Sequence, residues 1–199
     1  RDLHEIARRQ RQMCIRDRSH NGSMGLFRKS RPGDDVMAAV RQVLGQSMVK
    51  VLAWGHGRMD GPVTVIAVEE GLVVVPEQAE PGAVAWHEII RGGWHKEKSA
   101  LWWMVLDQSE VRIIMDQPGD IPGVFQSQVN ATILCQEGVD VPGGRAVVAG
   151  RRRAGALGRR DPSILWTAMA VGEADLSDPE TKQLVLEHSE DLKGRWESR

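Results

Sequence analysis

Five arginines flanking a short Ala/Gly tip form the part of this sequence best suited to bind an anion. They lie in the segment GRRRAGALGRR, as Arg151, Arg152, Arg153, Arg159 and Arg160. Clustered guanidinium groups bind phosphate oxygens through charge-assisted, often paired hydrogen bonds. RNA, an anionic lipid surface or an acidic protein are therefore candidate partners. The other interpretation, which we take as primary, is a solvated hinge or strand end.

Three histidines near charged residues are the next candidates. They are His56 in HGRMD, His87 beside Glu88, and His95 in HKE. Metal sites need tight spacings, such as two histidines four residues apart with a carboxylate, and no such spacing occurs. We expect His87 in a strand and the other two in turns, all with solvated polar roles. We expect no metal ion, cofactor or catalytic residue. The alternative is a small-molecule binder or enzyme at a barrel mouth beside His56 and His87.

Tryptophan is concentrated in one stretch, residues 86–115, which holds four of the seven in a chain without tyrosine. Adjacent residues of a strand point to opposite faces of the sheet, so Trp102 and Trp103 must diverge. If Trp103 faces the core, an apolar outward stripe of Trp102, Met104 and Leu106 remains. We expect the last helix or the N-terminal helix to cover this interaction face. A second subunit in a homodimer is the alternative.

The elements that position these residues follow from the hydrophobic period. Period-two segments predict strands at 49–54, 63–68, 72–75, 84–90, 101–106, 111–115, 145–148 and 164–171. Their short connections favour an antiparallel sheet, with residues 86–115 at its centre. Apolar residues at helical intervals predict a helix after Asp34, a second from Ile121 to Ile133, and a third after Asp178.

Several turn residues carry more specific predictions. Gly55-His56-Gly57 is expected to end the first strand, and Gly92-Gly93 to bend the chain. Gly71 is expected to supply a positive φ in the hairpin turn. Asp34 or Asp35 is expected to cap the first helix, and Pro122 to lie in the first turn of the second.

The N-terminus reads as foreign to the rest of the chain. The run RRQRQMCIRDR, Arg8 to Arg18, matches the codon-by-codon translation of a transposase sequencing-library adapter. We therefore expect residues 1–23 to be a non-native, adapter-derived segment and Met24 to be the true start. The alternative is a basic nucleic-acid-binding arm.

The body of the chain resembles a known family at several motifs. VLAWGHG, VTVIAVEEGLVVV, AWHEIIRGGWHKEKSALWWMVL, VFQSQVNATIL and GGRAVVAGRRR are similar to a family of uncharacterised actinobacterial proteins with a bacterial pleckstrin-homology-like fold. The matching positions are Trp54, Trp86, Ile89, Trp94, Leu101, Val129, Ala131, Gly143, Gly144 and Arg145. His87 after Trp86, and Gln126 and Gln128 in the helix, depart from the pattern. The resemblance implies a fold, and it carries no activity.

These observations together predict the fold class. We expect an α+β protein, with a pleckstrin-homology-like antiparallel β-roll or barrel capped by one amphipathic helix and a C-terminal strand–strand–helix extension. The expected boundaries are a flexible leader at 24–33, the pleckstrin-homology-like domain with its N-terminal helix at 34–137, and the extension at 138–199.

Composition limits the function classes. The net charge of −1 gives no global basic field to recruit nucleic acid, and no run approaches the length of a membrane helix. Without residues 1–23, Cys135 is the only cysteine, which suits a reducing cytoplasm. We expect a cytoplasmic, non-enzymatic interaction or scaffold module with a protein partner. The alternative is an anion-binding accessory protein that uses the arginine loop on nucleic acid or anionic membrane.

Overall fold

The structure is a computed structural model that describes residues 31–153 and 163–198. Within these residues the chain from Pro32 onward forms one compact unit of three α-helices and ten strands. The adapter-like run, Met24 and most of the leader lie outside the described residues, as do Arg159 and Arg160. No helix in the described part is long and apolar enough to cross a bilayer.

Helix α1, Asp34–Leu44, covers the outer face of the first strands. Val40 and Leu44 are buried against Ile66, Val68 and Val73 of the sheet. The predicted aspartate cap is wrong, because Gly33 occupies the cap position and no side chain bonds there. Asp34 and Asp35 instead lie in the first turn, where the positive end of the helix dipole favours carboxylates.

Seven antiparallel strands form a curled sheet, a half-barrel. The strands are β1 (Val51–Arg58), β2 (Pro62–Val68), β3 (Gly71–Pro76), β4 (Gly82–Ala85), β5 (Ile89–His95), β6 (Ala100–Val105) and β7 (Glu110–Gln117). Their order in the sheet is β4-β3-β2-β1-β7-β6-β5. The antiparallel prediction is confirmed. The central strand is β1, however, so the tryptophan-rich stretch forms one side of the sheet and not its centre.

Strand β1 runs through Gly55-His56-Gly57, where a break was predicted. A Cβ on Gly55 would lie 2.4 Å from the Gln117 carbonyl oxygen, and one on Gly57 would lie 2.5 Å from that of Ile114. The glycines therefore allow β1 to cross closely onto β7, at a shift in register. This close contact between β1 and β7 joins the two sides of the sheet.

Three other turn predictions were wrong. Residues 84–90 are not one strand, because a 3-10 turn at Trp86–Glu88 separates β4 from β5. Gly92-Gly93 lies inside β5. Gly71 is not among the residues with positive φ. It lacks a side chain because the Val84 carbonyl oxygen of β4 lies within 2.1 Å of where its Cβ would be.

Helix α2, Ile121–Thr132, covers the inner face of the half-barrel, and Pro122 lies in its first turn as predicted. Ile121, Phe125 and Val129 are buried against β1, β2 and β5. Phe125 makes ring contacts with Trp86, at 6.0 Å between centroids, and with Trp103, at 6.4 Å. The indole of Trp86 donates to the Val68 carbonyl at 2.9 Å, so its polar group is satisfied in the core.

The C-terminal extension is a second antiparallel sheet with a covering helix. Strands β8 (Ile133–Val141), β9 (Gly144–Arg152) and β10 (Ile164–Gly172) lie in the order β10-β9-β8, and helix α3, Pro179–Glu197, packs on β8 and β9. Asp178 caps α3 by accepting from the Thr181 amide at 2.8 Å.

The fold-class prediction is confirmed: the protein is α+β, with a curled antiparallel sheet, a helix across it and a C-terminal strand and helix extension. Four strands, three strands and a helix in this order are compatible with a pleckstrin-homology-like fold. β8 was not predicted. It begins directly after α2, and its first residue, Ile133, also fits the helical spacing of apolar residues, so the sequence shows no boundary between the two elements.

Candidate functional site: a cleft at the mouth of the half-barrel

The two sides of the half-barrel flank an open cleft of about 530 Å³ at one end, which we call the mouth cleft. The β1–β2, β3–β4 and β6–β7 connections all meet at this end of the antiparallel sheet. The lining residues are Met59, Leu72, Val74, Pro76, Glu80, Gly82, Ala83, Val84, Glu88, Trp103, Val105, Leu106, Asp107 and Val111. No residue of α2 lines it, because that helix covers other parts of the sheet.

The cleft is apolar, and part of its lining belongs to the core. Leu72 and Trp103 are buried, and Trp103 is supported from behind by Phe125. Val84 and Val105 are half-buried where they line the cleft. A pocket of this size, with apolar walls already formed, is typical of sites that accept a small apolar molecule or a few side chains.

Among the residues that the structure describes, the charged ones that line the mouth cleft are all acidic: Glu80, Glu88 and Asp107. One oxygen of Glu88 accepts a hydrogen bond from the Ala85 amide at 3.1 Å, which fixes its position. Asp107 accepts from the Ser109 amide at 2.8 Å, and its hydrogen bonds with Ser109 lower the pKa of the carboxyl. The lining therefore carries negative charge beside an apolar surface, which suits an apolar group that bears a cation.

The histidines do not contribute to this cleft. His56 is exposed on β1, so its predicted position in a turn is wrong; its Nδ1 lies 3.3 Å from the Thr64 hydroxyl and its ring against Trp54. His87 is only 1 % exposed and belongs to the 3-10 turn, so its predicted strand position and solvated role are wrong. His95 is the last residue of β5 and is exposed, so it precedes the turn in which it was predicted. A cleft does occupy the barrel mouth, but neither His56 nor His87 lines it.

His87 lies instead in a buried, electropositive part of the protein. Burial is the main cause that lowers the pKa of its imidazole, and Arg153 and Arg151 lower it further, while Glu88 opposes them. No described residue forms a hydrogen bond with its Nδ1. The ring is therefore neutral over a wider pH range than an exposed histidine.

Arg151 has a structural position that the sequence did not reveal. It is 4 % exposed and donates to the Thr132 hydroxyl at 3.0 Å and to the Ile90 carbonyl at 3.1 Å. It thus ties the C-terminus of α2 to β5, where the negative end of the helix dipole partly offsets the buried cation. Burial lowers the pKa of its guanidinium. Arg151 is consequently not presented to a partner at the surface.

The other members of the arginine loop are only partly described. Arg152 is exposed and donates to the Ala131 carbonyl at 3.3 Å, while Arg153 is half-buried. Arg159 and Arg160 lie outside the described residues. Of the three described arginines, Arg151 is buried and only Arg152 is exposed, and anion binding by this loop stays a prediction.

The stripe of Trp102, Met104 and Leu106 divides into three environments. Trp102 is half-buried beneath the guanidinium of Arg91, 5.6 Å from the ring centroid. Met104 lines a cavity together with Met169 of β10, so a strand faces it where a helix or second subunit was expected. Leu106 is 46 % exposed and lines the mouth cleft. Its use as an interaction face remains a prediction.

Within residues 31–153 and 163–198, no three His, Cys, Asp or Glu side chains group together as a metal site. Cys135 is a half-buried free thiol. A scan against protein-family models and searches of curated proteins and of solved structures found no match.

Proposed function

We propose that this protein is a binding module rather than an enzyme, and that the mouth cleft holds an apolar side chain of a partner protein beside a lysine or arginine. The observation that supports this proposal is the combination of apolar walls with exclusively acidic charged lining residues. The partner is then an extended segment in which an apolar residue adjoins a basic one.

Each part of the cleft has a role in this proposal. The apolar residue of the partner enters between Val84 and Val105 and reaches Trp103. Burial of such a side chain contributes on the order of 1.5–3 kcal/mol. The basic residue stays near the rim, beside Glu80 and Asp107, which are exposed. Charges at a rim of this kind add more to selectivity and association rate than to affinity.

Selection from a random peptide display library tests the proposal. Enriched peptides are expected to share an apolar residue next to lysine or arginine. The substitution Val84→Lys should abolish their binding, because it places a cation in the cleft. Ile114→Lys is the matched control, since Ile114 is 48 % exposed on β7 outside the cleft and should leave binding unchanged.

A charge-reversed protein adds a second readout. The double substitution Glu80→Lys and Asp107→Lys should shift the enriched peptides from basic to acidic residues while preserving their apolar position. Peptides without a shared apolar residue, or equal binding by Val84→Lys and the parent protein, would refute the proposal.

The family and the cellular compartment of the protein are part of this proposal. We infer that the chain is a member of the actinobacterial pleckstrin-homology-like family whose motifs it resembles, and that it acts in the cytoplasm. The motif positions and a single free thiol outside the adapter-like segment support both. Recovery of the gene from an actinobacterial genome tests the first, and its sequence across Arg8 to Met24 shows whether residues 1–23 are native. Fractionation of native cells tests the second.

A further inference from the structure

A second cavity, of about 170 Å³, lies between α2, β5 and the three strands of the second sheet. We call it the arginine cavity, because the charged residues that line it, among those the structure describes, are Arg91 and Arg151. No described carboxylate lines it, so its charge is opposite to that of the mouth cleft. The two cavities share no lining residue.

Arg151 is the buried member of the pair, and the described part of the chain supplies no counter-charge to it. Its hydrogen-bond partners, the Thr132 hydroxyl and the Ile90 carbonyl, are both neutral. No described residue forms a hydrogen bond with its Nε, and burial is the only effect that shifts the pKa of its guanidinium. Buried charges are normally paired, because an unpaired ion loses its hydration without compensation.

The side chain of Arg151 lies on the face of β9 that borders the arginine cavity. Alternate residues of a strand share a face, and Val147, Ala149 and Arg151 all line the cavity. Arg91 is exposed, with its guanidinium 5.6 Å from the ring centroid of Trp102. The cavity therefore has one cation that is buried and one that is open to solvent.

The remaining lining residues indicate the kind of anion that fits. Val129, Ile133 and Val147 form apolar walls, which suit an alkyl chain better than a fully polar anion such as phosphate. A cavity of about 150 Å³ holds benzene, so the arginine cavity has room for roughly six non-hydrogen atoms. The exposed amide side chains of Gln126 and Gln136 also line it and can donate hydrogen bonds.

We propose that the arginine cavity binds a small monocarboxylate of about six non-hydrogen atoms, whose carboxylate is the counter-charge of Arg151. Its alkyl chain lies against Val129, Ile133 and Val147, and Arg91 adds a second cation that favours the bound anion. The ligand is a free small molecule, because the cation it meets is only 4 % exposed.

Amide chemical-shift titration of the full chain with butyrate tests the proposal, in a buffer free of phosphate and other carboxylates. We expect saturable shifts at Val129, Val147 and Ala149, with a dissociation constant of about 1 mM or lower for a ligand of this size. Butyramide has the same shape without the charge and should bind at least about tenfold more weakly. Inorganic phosphate, which lacks the alkyl chain, should also bind more weakly than butyrate.

Two substitutions at exposed lining positions separate binding from folding, since Arg151 itself supports the fold. Arg91→Gln removes a cation and Gln136→Glu adds an anion, so each should weaken butyrate binding about tenfold. Gln117→Glu is the matched control: Gln117 is exposed on β7, does not line the arginine cavity and should leave the affinity unchanged. Thermal unfolding of each variant checks that the fold is retained.

Three results would overturn the inference. The first is the absence of saturable shifts up to about 50 mM butyrate, a concentration well above the expected dissociation constant. The second is equal or tighter binding of butyramide or phosphate. The third is unchanged butyrate affinity in both Arg91→Gln and Gln136→Glu. None of these results bears on the mouth cleft, because the two cavities have separate linings.

Discussion

At the scale of single residues, two buried polar groups determine how the stability of the protein depends on pH and on substitution. His87 and Arg151 are both almost completely buried, and the charge of Arg151 acts on the imidazole of His87. Arg151 is satisfied by a hydroxyl and a carbonyl, whereas His87 avoids the cost of a buried charge by remaining neutral.

The lowered pKa of His87 implies that the protein loses stability in mild acid. Its folded pKa lies below the ordinary value of 6.5, so the unfolded chain takes up a proton first as the pH falls. The stabilisation is therefore complete above about pH 7 and is lost as the pH decreases toward the folded pKa, by at most about 1.4 kcal/mol per pH unit. Urea unfolding at a series of pH values between 5 and 8 measures this change in the free energy of unfolding.

The variant His87→Gln isolates this effect from the other titrating groups. Its stability should vary less with pH than that of the parent protein between pH 5 and 7. Parallel curves for the two proteins would show that His87 does not contribute.

Because Arg151 is buried and hydrogen-bonded, we expect truncation of its side chain to destabilise the fold strongly. Arg151→Ala leaves the Ile90 carbonyl without its donor and opens space beneath α2, so we expect a loss of about 2–4 kcal/mol in the free energy of unfolding. Arg152→Ala, at the exposed neighbouring position, should change stability by less than about 0.5 kcal/mol. Equal effects of the two substitutions would contradict the structural role of Arg151.

At the scale of elements, the close crossing of β1 and β7 joins the two sides of the half-barrel. A Cβ on Gly57 would press on the backbone of Ile114, which cannot move without displacing a central strand. We expect Gly57→Ala to lower the free energy of unfolding by about 1–3 kcal/mol, as overpacking does. Thermal and urea unfolding measure the loss.

Gly82→Ala provides the matched comparison. Gly82 is also in a strand, but no atom of the described residues lies within 4 Å of a Cβ there, so this substitution should be neutral or slightly stabilising. If both alanines behaved alike, the close approach of β1 to β7 would not be the reason for glycine at position 57.

The sequence predicted most elements, because period-two and helical patterns report which face of each element is buried. It failed where one residue type serves different purposes. Gly55 and Gly92 were taken as breaks, but they permit close contact between strands, and sequence spacing cannot distinguish these uses. Arg151 was grouped with surface arginines, because its burial depends on Thr132 and Ile90, which are distant in sequence.

At the scale of the whole molecule, the sequence suggested a site at the barrel mouth only as an alternative, and it could not identify the residues that line the mouth cleft. Its walls use Leu72, Val84 and Val105, which look like ordinary core residues of alternating strands. Only the curl of the sheet leaves them facing an opening. The carboxylates at hairpin and loop positions were the available signal, and acidic residues are too common in turns to indicate a site.

The central claim is that the mouth cleft receives an apolar residue beside a basic one. Amide chemical-shift mapping of the full chain, titrated with a peptide selected on it, tests this claim most directly. The account predicts saturable shifts concentrated on the lining residues Leu72, Val84, Val105 and Val111. Shifts confined to Arg152 and Arg153 or to Trp102, with the cleft residues unchanged, would contradict it.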